Sequence, residues 1–146
     1  MTWHHLFLIA CLVAPLAACD HPPEDSATDT VRVRLVGTWL RAYDEAGTRV
    51  RRVLVLESDG SFHERSAVVS VDTAVPRESH GSGTWLFDGT NLKRHYRLVN
   101  GLPVSAPTVP FATFELRFTS RAEFVGVDRI RGRQVTYQRV AEGTQP

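Results

Sequence analysis

Two cysteines carry the only thiols of the 146-residue sequence, and their positions decide what chemistry a thiol can perform here. Cys19 follows the small residues Ala17 and Ala18, which leave a peptidase room to cut immediately before it. Such a cut would discard Cys11 with residues 1–18 and leave Cys19 without a partner for an intramolecular disulfide. An exposed free thiol is a liability in an oxidising compartment, and a thioether to a lipid removes it. The cysteine count therefore agrees with lipid attachment at Cys19.

Three histidines, His63, His80 and His95, are the side chains that could hold a metal. With Glu64 and Glu78 nearby in sequence they could be imagined as a zinc site, but no two of them have metal-ligand spacing. We expect His95 on the solvated face of its strand, among other charged residues, and His80 in a loop with glycine and proline around it. We therefore predict no metal site and no cofactor.

A hydrolase would need a nucleophile and a base brought together. Ser61, His63 and Glu64 are too close along one predicted strand to form a triad by themselves. The sequence also lacks a Gly-x-Ser-x-Gly elbow. We therefore predict that the protein is not an enzyme.

The residues before Cys19 form an apolar run from Leu6 to Ala18. This run is shorter than the about 20 residues that a membrane-spanning helix needs, and its length is typical of the apolar region of an export signal. The tetrad Leu16-Ala17-Ala18-Cys19 resembles the lipobox of bacterial lipoproteins. The resemblance implies a signal peptide at residues 1–18, cleavage between Ala18 and Cys19, and a membrane anchor of acyl chains on Cys19. An ordinary secretory signal is the alternative, because residues 1–18 contain no Lys or Arg.

Residues 20–30 contain four acids, two prolines and almost nothing to bury, which predicts an extended, disordered tether. We therefore divide the chain into a signal peptide (1–18), a lipidated N-terminus with a flexible linker (19–30) and a folded domain (31–146). Asp20, the residue after the predicted lipidated cysteine, resembles the signal that retains lipoproteins in the inner membrane of enteric bacteria. The expected location is the periplasmic face of the inner membrane, with the outer membrane as the alternative.

The charge of the chain is nearly balanced, with 17 Lys and Arg against 16 Asp and Glu. No basic field exists to attract nucleic acid. Almost all of the cations are arginines, which can bind anionic lipid headgroups, but the interspersed acids argue against a dedicated basic patch. Nucleic acid is therefore not an expected partner. The expected partners are the membrane, through Cys19, and a small hydrophobic ligand.

The folded domain reads as short strands separated by turn residues. An Asp-Gly pair lies in each of two predicted hairpin turns, at 58–61 and 88–91, and in the first of them we expect a type I′ turn. A short helical turn could fit near residues 30–36. Eight antiparallel strands at this spacing predict an all-β fold, either a small up-and-down barrel or a small sandwich. The predicted strands are 35–43, 50–57, 62–71, 84–87, 92–99, 111–118, 123–127 and 134–140.

The opening Gly37-Thr38-Trp39, the two Asp-Gly hairpins and the terminal Tyr137-Gln138-Arg139-Val140 together resemble the lipocalin-like (calycin-type) barrels of many bacterial lipoproteins. The resemblance covers roughly residues 33–140. It implies that Trp39 plugs one end of the barrel, next to Gly37, and that Arg139 packs across its ring.

A set of aromatic side chains bears on ligand binding: Trp39, Trp85, Tyr96, Phe114 and Phe118, with Phe124. They could line an apolar pocket for a small apolar or amphiphilic ligand, or they could be the core of a filled barrel. In the second case the protein would be an envelope interaction or assembly factor. Residues 53–56 are apolar on both faces and need cover outside the barrel, from residues before Gly37, from a long loop or from another protein.

Overall fold

The computed structural model describes residues 24–72, 75–105 and 111–146, so the predicted signal peptide, its cleavage site, Cys19 and Asp20 lie outside the described residues. Within these ranges the chain forms the helix α1 (Glu24–Leu35) and then nine strands. No helix in these ranges has both the length and the hydropathy of a membrane span. The strands are β1 (Gly37–Glu45), β2 (Thr48–Leu56), β3 (Ser61–Ser70), β4 (Arg77–Phe87), β5 (Asn91–Val99), β6 (Leu102–Pro103), β7 (Phe111–Ser120), β8 (Glu123–Asp128) and β9 (Arg133–Arg139).

The strands pair antiparallel in the order β4-β3-β2-β1-β9-β8-β7-β5-β6. A further pairing of β4 with β5 closes this sheet, so that every strand except the two-residue β6 belongs to a barrel. The predicted all-β fold, an antiparallel up-and-down barrel of about eight strands, is confirmed. The barrel is compatible with a lipocalin-like fold.

The core of the barrel lies towards one end, where β1 begins and β9 finishes, and we call this the closed end. The helix α1 packs there, because Leu35 is fully buried and accepts a hydrogen bond from Trp39 Nε1 at 2.7 Å. Val31 also packs against the core from the helix. The opposite end, where β1 finishes and β9 begins, is the open end. The buried core comprises Leu35, Trp39, Leu54, Leu56, Phe62, Trp85, Phe87, Leu92, Phe114, Phe124, Val135 and Tyr137.

The helix corrects the prediction for the linker, since residues 24–30 belong to α1 and are not extended. The segment has little to bury by itself, and its helical form depends on the docking of Leu35 onto the barrel. Arg32 and Arg34 lie in the last turn, where positive charge interacts favourably with the helix dipole. The helical turn expected near residues 30–36 is the C-terminal part of this longer helix.

The Asp-Gly hairpins form, but the turn type predicted for the first is wrong. In Asp59-Gly60 and Asp88-Gly89 it is the glycine that has positive φ (+84° and +94°), and neither aspartate is among the described residues with positive φ. Asp59 instead accepts a hydrogen bond from the backbone N–H of Ser61 at 2.8 Å, which stabilises a wider loop. Positive φ at both central residues, as type I′ requires, occurs at Ala46-Gly47 (+48°, +75°) and Asn100-Gly101 (+51°, +78°).

The C-terminal segment is hydrogen-bonded to Arg65 of β3, beside the outer face of β2. Val53 points outward from β2 and is nevertheless only 1% exposed. Its cross-strand neighbour Arg65 donates to the Gln145 side chain at 2.5 Å and to the Thr144 carbonyl at 3.4 Å. These hydrogen bonds hold the end of the chain against the barrel wall.

The docking of α1 gives a test of the closed end. Leu35→Ala should lower the free energy of unfolding by about 2–5 kcal/mol, because it removes buried methyl groups and leaves a cavity beside Trp39. Val33→Ala on the same helix is the control: Val33 is 75% exposed, so its truncation should change stability by less than about 0.5 kcal/mol. Urea unfolding followed by tryptophan fluorescence measures both values. Equal losses in the two variants would contradict the packing of the helix.

Candidate functional site

The closed end is sealed by the three residues that the lipocalin resemblance singled out. Arg139 Cζ lies 4.3 Å from the centroid of the Trp39 ring, a cation–π distance. Its guanidinium also donates to the carbonyls of Arg34 at 2.5 Å and Val36 at 3.0 Å, which satisfies the end of α1. Gly37 has φ +131°, and a Cβ there would collide with the Arg139 guanidinium. These contacts leave no room for a ligand at the closed end.

The predicted ligand-binding aromatics divide between this sealed end and the opposite one. Trp39 is fully buried, and Phe118 lies beside it with ring centroids 6.1 Å apart. Trp85 is buried too, and its Nε1 donates to the carbonyl of Glu57 at 2.9 Å. Tyr96 and Phe114, in contrast, line a cavity at the open end. The structure therefore brings two of the five predicted residues to a space that a ligand could occupy.

The cavity at the open end has a volume of about 450 Å³, within the usual range for small-molecule sites. One part of its wall is apolar and another carries guanidinium groups, so it suits a ligand with both characters. The apolar or aromatic lining residues are Tyr43, Tyr96, Phe111, Ala112, Phe114, Ile130 and Val135. The charged ones are Arg41, Arg52, Arg94, Arg131, Arg133 and Asp128, with Thr113 between them.

Beneath the cavity a buried carboxylate lies between two arginines. Glu64 forms an ion pair with Arg94, which is 1% exposed, and its other oxygen lies 3.6 Å from Arg52 Nε. The Tyr96 hydroxyl donates to the same oxygen at 3.2 Å. Burial by itself would raise the pKa of Glu64, but the charges of Arg94 and Arg52 outweigh it, and the pKa lies below its ordinary value. Glu64 is therefore ionised at neutral pH and neutralises only one of the two guanidinium groups.

Each of the two arginines has one N–H donor without a hydrogen-bond partner in the described part of the chain. The Nε–H groups of Arg52 and Arg94 are buried and have no hydrogen-bond partner among the described residues. Burial disfavours the charge of Arg94, but Glu64 more than offsets this and raises its pKa, so the guanidinium stays charged. Unpaired buried donors are costly, and in native proteins they are rare.

A second carboxylate stands at the rim of the cavity. Asp128 accepts backbone hydrogen bonds from Ile130 and Arg131, both at 3.0 Å, and forms an ion pair with the Arg131 side chain at 3.1 Å. These hydrogen bonds, the one from the Arg131 backbone above all, lower the pKa of Asp128. They also fix the β8–β9 loop so that Ile130 stands at the rim.

The sequence does not point directly to the arginines of the cavity, because charged residues are expected on the outer faces of strands. Parity gave a usable signal: the outward assignment of His95 places its neighbour Arg94 inside, in line with Leu92 and Tyr96. His95 itself is half-buried and stacks on Phe111, with ring centroids 4.6 Å apart. Acidic residues are interspersed with the arginines along the sequence. The local excess of arginine arises only when folding brings these side chains together at the cavity.

The histidine predictions change in one detail. His80 lies within β4 and not in a loop, because β4 begins at Arg77. His63 is exposed, whereas Glu64, the next residue of β3, faces inward, so the two side chains lie on opposite faces of the sheet. Among the described residues no group of three or more His, Cys, Asp or Glu side chains could hold a metal ion.

The buried carboxylate predicts a pH-dependent stability. Glu64→Gln should lower the free energy of unfolding at pH 7 by about 3 kcal/mol, because it leaves two guanidinium groups without their counter-charge. Since folding lowers the pKa of Glu64 from 4.5, its ionised form stabilises the barrel fully above that pH, and the contribution is lost as the pH falls further.

Urea unfolding between pH 7 and pH 3 therefore checks the pair. The difference between wild type and Glu64→Gln should shrink below about pH 4.5, the ordinary pKa of this side chain. Glu115→Gln, which breaks an exposed ion pair with Arg129, is the control and should cost less than about 1 kcal/mol. A wild-type advantage that stayed constant down to pH 3 would argue against a buried ionised carboxylate.

Comparison with known proteins adds no family to these observations. No protein-family model matches the sequence, and no curated protein matches it either. The role of the open end is therefore inferred from its own chemistry, an arginine-rich cavity with an apolar wall in a closed antiparallel barrel.

Proposed function

We propose that this chain is a membrane-anchored periplasmic lipoprotein whose lipocalin-like barrel binds a small amphiphilic ligand at its open end. The observation that carries the binding function is the cavity of about 450 Å³, which combines an apolar wall with charged side chains. The anchor is supported by the sequence Leu16-Ala17-Ala18-Cys19 and by the apolar run before it. Asp20 favours the inner membrane over the outer.

The position of α1 supports an orientation for the anchored protein. Four residues, 20–23, separate Cys19 from the first residue of α1, and they can span at most about 14 Å. The helix packs across the closed end through Leu35. The closed end would therefore be held near the membrane, and the open end would face the periplasm.

Binding is favoured over catalysis by the state of the two carboxylates at the cavity. Glu64 and Asp128 are both held in ion pairs, and the pKa of each lies below its ordinary value. A general acid or base works best with a pKa near the operating pH, which these groups do not have. Their role is to position arginines.

A second candidate is an envelope interaction or assembly factor, which a ring of exposed apolar side chains favours. Most of the exposed large apolar residues in the described ranges lie in strand ends and loops around the open end. They could meet a partner protein there, whereas residues 53–56 lie in a strand that is paired on both sides and are mostly buried. The exposed residues concerned are Val71, Val75, Leu98, Val99, Leu102, Phe111 and Ile130.

Metabolic labelling of cells with a clickable fatty acid tests the anchor. The wild type should incorporate label and sediment with membranes, and Cys19→Ala should lose both properties because the sulfur that forms the thioether is gone. Cys11→Ala is the matched control, since that residue is removed with the signal peptide, and it should keep the label. Unlabelled wild-type protein, or membrane-bound unlabelled Cys19→Ala, would contradict the proposed anchor.

Native mass spectrometry of the purified protein tests the cavity. We expect a small-molecule adduct on the wild type and its loss in Ala112→Trp. Ala112 lines the cavity next to Arg94, its cross-strand partner, and an indole there would fill the space. Ala42→Trp is the control, with the same ring added to the exposed outer face of β1. An adduct that survives in Ala112→Trp would place the ligand elsewhere. A ligand-free wild type that copurifies with a stoichiometric protein would favour the second candidate.

A further inference from the structure

Two arginines face each other directly inside the barrel. Arg41 on β1 and Arg52 on β2 are cross-strand partners, and both line the open-end cavity. Like charges in directly opposed positions of a sheet destabilise it. Arg41 lies over the Tyr43 ring at 4.2 Å and has no carboxylate within ion-pair distance among the described residues. Arg52 shares the charge of Glu64 with Arg94, whereas Arg41 has no carboxylate partner in the described ranges.

The cavity as a whole carries a net positive charge, which would attract an anion. Five arginines line it, and two carboxylates are paired with them: Asp128 with Arg131, and Glu64 with Arg94 and Arg52. Arg133 at the start of β9 has no ion pair within the described ranges. An excess of three positive charges therefore remains in a space partly shielded from solvent, where an anion is attracted more strongly than at a flat surface.

Buried donors provide an independent observation. The Nε–H groups of Arg52 and Arg94 have no hydrogen-bond partner in the described part of the chain, although both atoms are buried and Arg94 as a whole is 1% exposed. Both side chains line the cavity. Neither Nε atom is open to solvent and Arg52 Nε faces Glu64 Oε1 at 3.6 Å, so an anion in the cavity would act on these guanidinium groups through its charge.

The apolar wall sets the rest of the ligand. Ile130 is 93% exposed and stands at the rim of the cavity, whereas Phe111 borders the cavity but turns its ring outward onto His95. Phe114 and Val135 continue this surface inward. An isoleucine fixed at a cavity rim by the Asp128 turn offers contact area for an apolar group that extends out from the charged end.

We propose that the open-end cavity binds a soluble organic anion, with its carboxylate or other anionic group between Arg41, Arg52 and Arg133 and its apolar part against Ile130 and Phe114. This rests on the proposed ligand-binding function and names the chemical class of the ligand. Such an anion would relieve the repulsion between Arg41 and Arg52, so binding and barrel stability should be coupled.

Isothermal titration calorimetry of the full chain with 4-phenylbutyrate, 4-phenylbutan-1-ol and inorganic phosphate tests the class. The first is an anion with an apolar part, the second is its neutral analogue, and the third is an anion without an apolar part. We expect 4-phenylbutyrate to bind at least about ten-fold more tightly than either of the others, a ratio that corresponds to about 1.4 kcal/mol. Equal binding of the alcohol overturns the anion assignment and leaves the ligand-binding function standing. Equal binding of phosphate overturns the role of the apolar wall.

Variants locate the charged group. Arg41→Gln and Arg133→Gln should each weaken 4-phenylbutyrate binding about ten-fold and leave binding of the alcohol unchanged. Arg51→Gln is the matched control, because Arg51 adjoins Arg52 in β2 but is exposed on the outer face, and its affinity should equal that of the wild type. Undiminished binding in Arg41→Gln and Arg133→Gln overturns the assignment.

Thermal unfolding separates a ligand role from a structural one. Arg41→Gln should leave the melting temperature of the unliganded protein unchanged or raise it, because it removes the repulsion with Arg52. Addition of 4-phenylbutyrate should raise the melting temperature of the wild type more than that of the variant. A large loss of stability in unliganded Arg41→Gln would mean that Arg41 is structural and would overturn the proposal. If none of the three compounds binds and the purified protein carries no adduct, the ligand-binding function fails as well.

Discussion

The buried ion pair between Glu64 and Arg94 divides the interior of the barrel into two halves with different chemistry. On one side of it the side chains that point inward are mainly apolar and aromatic, and these pack to a core under α1. On the other side the inward positions carry arginines and tyrosines around an open cavity. A guanidinium cannot be buried without a counter-charge, so Glu64 is what allows Arg94 to lie this deep. The cavity depends on that single carboxylate for its floor.

The arginines at the two ends of the barrel differ in whether their N–H donors have acceptors. At the closed end Arg139 donates to the carbonyls of Arg34 and Val36 at the end of α1, and its guanidinium packs over the Trp39 ring. At the open end the same residue type is left short of acceptors, at the Nε–H groups of Arg52 and Arg94. The arginine donors are therefore matched at the closed end and partly unmatched at the open end. Overall charge balance, which the composition shows, hides this difference.

The strands could be predicted from the sequence because alternation and turn residues are local signals. Residues 111–118 alternate strictly and form most of β7, and both Asp-Gly pairs lie in hairpins. The errors arose where a local rule met a tertiary contact. The polar composition of residues 24–30 predicts a disordered tether. In the structure they form a helix whose last residue, Leu35, is buried against the barrel. The pairing of Glu64 with Arg94, thirty positions along the chain, depends on the register of the two successive pairings β3–β4 and β4–β5, which no local pattern encodes.

The junction of β1 with β9 has a consequence for the order in which the molecule is assembled. These are the first and last strands of the chain, and Arg139, near its end, also caps the helix that precedes β1. The ring cannot be completed until the final strand is available, so every earlier length of chain exposes two unpaired strand edges, which are prone to aggregate. A ring joined at its sequence ends also has many contacts between distant residues, which slows folding. The barrel can therefore close only after β9 has been synthesised, since β9 is the second neighbour of β1.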